Sequence, residues 1–467
     1  MEGVTKEVVR FAVETNFDDF PNKAVHEAKR VFLDSVGCAL GGIDVDKGKI
    51  SVQFARALGG ANESTILGVG DKVSSAAAAF ANGELINAID MDSLLFPAHV
   101  SPFVIPAPLA LGESGRASGR DLIVAIALGH EIATRIGRAL QEAPFDEEGK
   151  FQLSDVGGFS SAILGGAIGA GKILRLGEER MLHAVGLAGH MTPVPAEVKW
   201  RMVAPSSMDK YLSAGWASLT CVTAVLLAEM GYTGDTEVLD GEYGFWKFYC
   251  ARTWRPDKLL QKLGEEWQFL ETSYKPYPCC RLIHGALDCF NEIIEENHLM
   301  PEDIERVRAL ANPLLDAPVW RNAQIATHVD AQFSIPYIFA VAAHRIPNAD
   351  WQAPDTLKAP RILEFMKKVS FDPHPDYGRT WLQNPKHDLS SVEVVAKGQS
   401  FKKEKLWAKG DYSSEEAKMK DGELEAKFRI NASKVLRQEN IDKAVKAIFE
   451  LEKMGDISEL LAILSSK

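Results

Sequence analysis

Lys275-Pro276-Tyr277-Pro278-Cys279-Cys280-Arg281-Leu282-Ile283-His284 is the stretch on which the fold turns. Its two prolines each remove a backbone donor and fix φ, so no helix runs through it. On its N-terminal side the chain has helical period almost throughout. Ala24, Ala28, Val31, Phe32, Ser35 and Cys38 share one stripe, while Lys23, Glu27, Lys29 and Arg30 lie off it. The same pattern recurs over Ala76 to Ile89, Asp121 to Leu140, Ser161 to Leu174, Glu178 to His190, and Tyr211 to Met230 with Gly231 as its stop. Residues 1–268 therefore read as all-α, rich in small residues that suit close helix packing.

On the C-terminal side the character is mixed. A helical pattern resumes over Leu282 to Glu296, then Ile304 to Leu310 and Ser391 to Ala396 carry the β-formers of strands. Proline-rich and charged stretches such as Phe371 to Asn384 lie between them. Residues 269–408 read as an inserted α+β domain. Beyond Gly410 the segments Met419 to Lys434 and Asn440 to Leu464 are helical but too few to form a core of their own. Residues 409–467 are therefore returned to the helical domain, and the expected fold class is mainly α.

Composition bounds the function. The 467 residues hold 46% hydrophobic and 25% charged residues, the balance of a globular chain of more than one domain. A net charge of −12 disfavours nucleic acid as a partner and requires a local positive pocket for any anionic substrate. The six cysteines show no C-x-x-C pair, which fits reduced thiols. The N-terminus lacks a basic leader with an apolar core, and the apolar stretch Ala214 to Ala228 is too short to span a bilayer. A cytoplasmic protein without a membrane partner is expected.

Four places carry candidate chemistry. Asp90 and Asp92 follow an alanine-rich helix and precede the Pro-bounded loop of His99; they either orient that imidazole for proton transfer or cap the next segment. Lys210 stands at the start of an apolar helix, where the macrodipole disfavours it, and is either a substrate contact or a snorkelling lysine. Lys275, Arg281 and His284 make the opening stretch a cationic patch at a domain boundary, either a ligand cleft or a solvated hinge. Gln332 and Tyr337 offer hydrogen bonds to a substrate, while His328 reads as structural. Cys279 and Cys280 lack neighbours at metal-ligand spacing and read as buried small hydrophobes, so no metal is expected. Gly166 to Lys172 imitates a phosphate loop, but Ile173 stands where its hydroxyl residue belongs and the segment is helical.

Together, in order, these places resemble the MmgE/PrpD family, whose activities include dehydration of 2-methylcitrate, decarboxylation of cis-aconitate and epimerisation of iminodisuccinate. The likeness rests on Asn82-Gly83, Ala88 to Asp92, the His99 loop to Pro106, Gly165 to Lys172, Lys210 with Gly215, Lys275 to His284, Ala331 to Tyr337 and Glu425 to Arg429. It implies a helical domain from both termini with an inserted lid, a homodimer, and no cofactor. It also implies that Asp90, His99, Lys210 and His284 are the polar active-site residues, with Tyr337 in the pocket. On that basis a lyase of the hydro-lyase type acting on a small di- or tricarboxylic acid is expected. Lys210, Lys275 and Arg281 would bind carboxylates, and His99, oriented by Asp90, would pair with His284 as acid and base. A decarboxylase, an epimerase or a non-catalytic ligand-binding relative are the alternatives. Val156, Leu94, Phe96 and Ser213 stand where the family pattern has polar residues, which implies an acid bulkier or less charged than citrate.

Overall fold

The computed structural model describes residues 3–153 and 159–465. Helices dominate: 55% of the chain is helical and 8% is strand, which places it in the mainly α class. The long helices Asn22–Gly41, Ser75–Asn87, Gly119–Leu140, Ala162–Ile173, Glu178–His190 and Ala214–Glu229 pack on one another around a continuous apolar core. Small residues set the spacing. A Cβ on Gly165 would lie 2.2 Å from the Gly129 carbonyl oxygen, and one on Gly215 would lie 2.4 Å from that of Phe80. The glycine-rich segment that imitates a phosphate loop is thus the contact face of the Ala162–Ile173 helix.

The C-terminal helices pack back on this assembly. Asp421–Ala432 and Gln438–Phe449 lie against Asn22–Gly41, and Ser458–Ser465 lies against Pro106–Ser114. Between Lys275 and Lys405 the chain builds a four-stranded sheet with a helix on it. Ile304–Ala311 pairs in parallel with Val369–Pro373 and antiparallel with Ser390–Ala396, which pairs antiparallel with Gln399–Lys405. The helix His284–Glu296 covers the last two of these strands. Two strands match the expected runs. Val369–Pro373 ends in a proline, and Gln399–Lys405 is an edge strand whose exposed positions, Gln399, Ser400, Lys402 and Glu404, are all polar or charged, so neither shows an apolar alternation.

A buried ion pair fixes the last turns of the helical half. Arg135, paired with Glu131, donates to the carbonyls of Leu259, Gln261 and Glu266, and the Phe269 amide donates to Glu131. Among the described residues no helix is long and apolar enough to cross a membrane.

Candidate functional site

The Ser75–Asn87 helix is capped by Ser74 and ends three residues before Asp90. Asp90 then turns the chain with φ 54°, a left-handed conformation that aspartate tolerates better than most residues. The turn points its carboxylate into two ammonium groups. Lys210 Nζ lies 3.0 Å from Oδ1 and Lys275 Nζ lies 2.8 Å from Oδ2. Each lysine is fixed by a backbone carbonyl as well, Asn87 for Lys210 at 2.8 Å and Asp90 itself for Lys275 at 2.9 Å. All three side chains are out of solvent.

Burial would raise the Asp90 pKa, but Lys210, Lys275 and His99 outweigh it and hold the carboxyl well below its usual range. The two lysines diverge. Burial pulls Lys210 down to about 8 despite Asp90, and nearby Lys47 adds to the fall. Burial also opposes the Lys275 charge, yet Asp90 and Asp92 overcome it and its pKa is raised. Two cations against one carboxylate leave a surplus of one positive charge while Lys210 is protonated.

Lys210 is not at a helix start, as the sequence suggested. The helix begins at Ala214, and Lys210 precedes it in a left-handed turn with φ 53°. The macrodipole therefore has no part in its placement, and the hydrogen bonds to Asp90 and Asn87 hold the turn. A lysine in this conformation is uncommon, and such strain concentrates at functional sites.

His99 is oriented by Asp92, which corrects the expectation that Asp90 would do this. Nδ1 lies 2.7 Å from Asp92 Oδ2, while the other Asp92 oxygen accepts from Asn87 Nδ2 at 3.1 Å. Asn87 also reaches the Tyr211 hydroxyl at 2.8 Å, and the Tyr211 ring stacks on the His99 ring at 5.1 Å. With Nδ1–H committed to the carboxylate, Nε2 is the nitrogen left for the cavity that His99 lines. The loop is braced from outside. Lys427 of the Asp421–Ala432 helix donates to the Met91 carbonyl and to Asp34, each at 2.6 Å. Leu94 exchanges two 2.8 Å backbone bonds with Ser273, two residues before Lys275.

The cavity encloses about 450 Å³ and is lined by Asp90, His99, Cys280 and Arg281 among others. Arg281 enters it while bonding the Lys409 carbonyl at 2.8 Å and Asp411 at 3.1 Å. Arg201, paired with Glu197, adds a second guanidinium. Sequence reading offered both carboxylates but settled on Asp90, and it missed the roles of Asn87, Tyr211, Arg201 and Lys427. Asn87, Tyr211 and Lys427 carried a signal, the first two adjoining residues already singled out and Lys427 lying within the Glu425 to Arg429 match; Arg201 carried none beyond charge.

Five expected site residues stand off the cavity wall: Lys210 and Lys275, which hold Asp90, and His284, Gln332 and Tyr337. His284 is fully buried at the start of its helix, with Nε2 3.1 Å from the Cys279 carbonyl and Nδ1 3.5 Å from Arg281. Burial, then Arg281 and Lys275, keep its pKa well below the usual histidine value. It does not line the cavity and holds the Cys279–Arg281 turn instead. Gln332 donates to the Ala88 carbonyl at 2.7 Å and to Gln352 at 2.8 Å, and Tyr337 donates to the Trp351 carbonyl at 2.6 Å. Neither residue lines the cavity, and Gln332 Oε1 is buried without a hydrogen-bond partner among the described residues. Cys279 and Cys280 are buried, and burial pushes the Cys280 thiol up to about 11, so it is not a thiolate. Among the described residues no group of three or more histidine, cysteine or acidic side chains is placed to hold a metal ion. Ser213 caps the Ala214–Glu229 helix and donates to Glu84, whereas Val156 lies outside the described residues.

The arrangement offers one oriented imidazole, an ionised carboxylate clamped by two ammonium groups, and guanidinium groups suited to carboxylates. Comparison with known proteins agrees in kind. Residues 6–256 match the MmgE/PrpD N-terminal domain and residues 277–451 the MmgE/PrpD C-terminal domain. The chain is 25% identical to a cis-aconitate decarboxylase of Aspergillus terreus over 501 residues, covering 99% of this chain and 96% of the relative. It is 26% identical to the cis-aconitate decarboxylase of Homo sapiens over 462 residues, covering 95% and 90%. A cis-aconitate decarboxylase of Mus musculus is 25% identical, with 94% and 89% covered.

Proposed function

This chain belongs to the MmgE/PrpD family, and from that premise we propose that it is a lyase that decarboxylates an unsaturated di- or tricarboxylic acid. The curated relatives it matches carry that activity in their names, at about a quarter of positions identical. The observation that carries the reading is the carboxylate-held imidazole at the cavity, since the second lining histidine, His387, has among the described residues only the Asn384 amide, at 3.1 Å, as hydrogen-bond partner of its ring. His99 lines it, and His284 does not.

Loss of a carboxylate one carbon away from a double bond needs one proton donor. The C–C bond to the departing group breaks, its electron pair forms a new C=C bond, and carbon dioxide leaves. The old π pair takes a proton at the carbon beside a remaining carboxylate. His99 Nε2 delivers that proton, and Asp92 stabilises the imidazolium and fixes the tautomer. Arg281 and Arg201 hold the remaining carboxylates, and the surplus charge of the Lys210–Asp90–Lys275 cluster offsets the negative charge that develops. Asp90 keeps both ammonium groups in place.

A hydro-lyase reading is the second. Elimination of water needs a base as well as an acid, and Lys210, at about 8, has the proton affinity for the second role. Its Nζ stands behind Asp90 and would act through it. The homodimer implied by the family resemblance belongs to the same proposal. Incubation with a panel of saturated and unsaturated polycarboxylates in D2O separates the readings. The decarboxylase reading requires one carbon dioxide and one solvent deuterium on carbon per product. Water loss without carbon dioxide supports the hydro-lyase, and the absence of any turnover removes both.

A further inference from the structure

The cavity is larger and more apolar than a small polycarboxylate needs. Its volume of about 450 Å³ falls in the range of roughly 300–1,000 Å³ that takes drug-sized ligands. The catalytic groups occupy one part of its wall. Another part is built where the loop of residues 141–153 reaches across from the helical half to the helix Tyr377–Gln383. The loop closes on itself through a bridge between Phe145 and Phe151. It touches the Tyr377–Gln383 helix so closely that a Cβ on Gly378 would lie 1.8 Å from the Gly149 carbonyl oxygen.

That junction is aromatic. The Phe145 ring lies 5.8 Å from Phe151, 5.7 Å from Tyr377 and 5.3 Å from Trp381, in tilted and edge-on contacts. The cluster stands apart from the main core, and all four rings line the cavity. Most polar groups beside it are engaged with one another, His387 Nδ1 being the exception. Tyr377 donates to Asp388 and accepts from Asn312, and Lys386 sits 5.1 Å over the Tyr412 ring. This wall therefore has carbon surface to offer and presents a poor seat for a further carboxylate.

We propose that the substrate is a di- or tricarboxylate bearing an alkyl chain, its carboxylates at His99, Arg201 and Arg281 and its chain between Phe145, Phe151 and Trp381. This rests on the lyase reading for the head and on the aromatic wall for the tail. Each methylene buried there tightens binding about fourfold.

The test is titration calorimetry of the full-length protein with succinate, 2-methylsuccinate, 2-propylsuccinate and 2-pentylsuccinate. Affinity is expected to rise about fourfold per methylene over the series. Phe151→Ser and Trp381→Ser should each flatten the rise by at least tenfold at the pentyl compound, with a circular dichroism spectrum like that of the parent. A flat or falling series, or no binding by any member, overturns the inference. So does a rise that both variants keep. Turnover assays on glutaconate and its 2-alkyl derivatives, in which one carboxylate lies one carbon from the double bond, keep the two claims apart. A chain-length rise in binding without any turnover sinks the lyase reading and supports the alkyl site. Turnover of the unsubstituted acid with a flat series sinks the alkyl site alone.

Discussion

Replacing Asp90 by asparagine removes one charge and almost no volume, and its effect can be worked from the geometry. The carboxylate oxygens lie 3.0 and 2.8 Å from two ammonium groups that have no access to water. An asparagine amide turns its two donors toward one of them and leaves both cations uncompensated. Removing one partner of a buried ion pair costs about 3–5 kcal/mol. Part of that cost depends on pH. Without Asp90 the Lys210 pKa falls from about 8, so the variant folds with a neutral amine where the wild type still holds a charged one. The wild-type advantage at Lys210 grows by up to about 1.4 kcal/mol for each pH unit below 8 and vanishes above it, where the folded amine is neutral in both. The Asp90 carboxyl is depressed in the folded state, so its own contribution is complete above pH 4 or so and is lost only at strongly acid pH. Urea unfolding at pH 6, 7 and 9 is the assay. Asp90→Asn should lose about 3–5 kcal/mol at pH 7, more at pH 6 and less at pH 9, and adding Lys210→Met should recover part of it. A loss below about 1 kcal/mol, or one that does not change with pH, would refute the clamp.

Asp92→Asn should lower kcat by about 10²–10⁴ with little change in substrate affinity, because an amide facing Nδ1 favours the wrong His99 tautomer; steady-state kinetics beside a binding isotherm decide it, and near-parental kcat would count against the pair. His284→Ala should reduce stability by about 1–3 kcal/mol by orphaning the Cys279 carbonyl, and should lower kcat less than loss of His99 does. A larger effect on kcat than His99→Ala gives would show that His284 acts on substrate. Gly165→Ala should destabilise the helical half by several kcal/mol, about the cost of overpacking or more, since its methyl group would meet the Gly129 carbonyl at 2.2 Å; an unchanged melting temperature would contradict the packing described.

Much of the architecture is legible in the chain because helix stripes and helix-breaking prolines are local signals. The Lys275 run marks where the helical half stops, and the small-residue face at Gly165 reads as a helix contact. Strands Ile304–Ala311 and Ser390–Ala396 show because both carry apolar β-formers on a buried sheet. The flanking strands Val369–Pro373 and Gln399–Lys405 stay hidden because their neighbours, not their own pattern, define them. The site is legible in part. Asp90, Lys210, Lys275, His99 and Arg281 stand out as charged groups in apolar or Pro-bounded settings; Asp90, His99 and Arg281 line one cavity, and the two lysines hold Asp90. Which carboxylate holds His99 depends on the left-handed turn at Asp90, which swings one acid to the lysines and leaves Asp92 for the imidazole. No spacing rule encodes that turn. That His284, Gln332 and Tyr337 stand off the cavity is hidden for a related reason, since a polar side chain in a motif looks the same whether it faces a ligand or a backbone carbonyl. Leu94 and Phe96, whose apolar character suggested a bulkier acid, both line the cavity.

The account stands on proton delivery by His99, and chemical rescue of its deletion tests this most directly. His99→Ala should lose about 10²–10⁴ in kcat while still binding substrate, and added imidazole should restore turnover in proportion to its concentration. A variant that keeps wild-type kcat without imidazole would contradict the account.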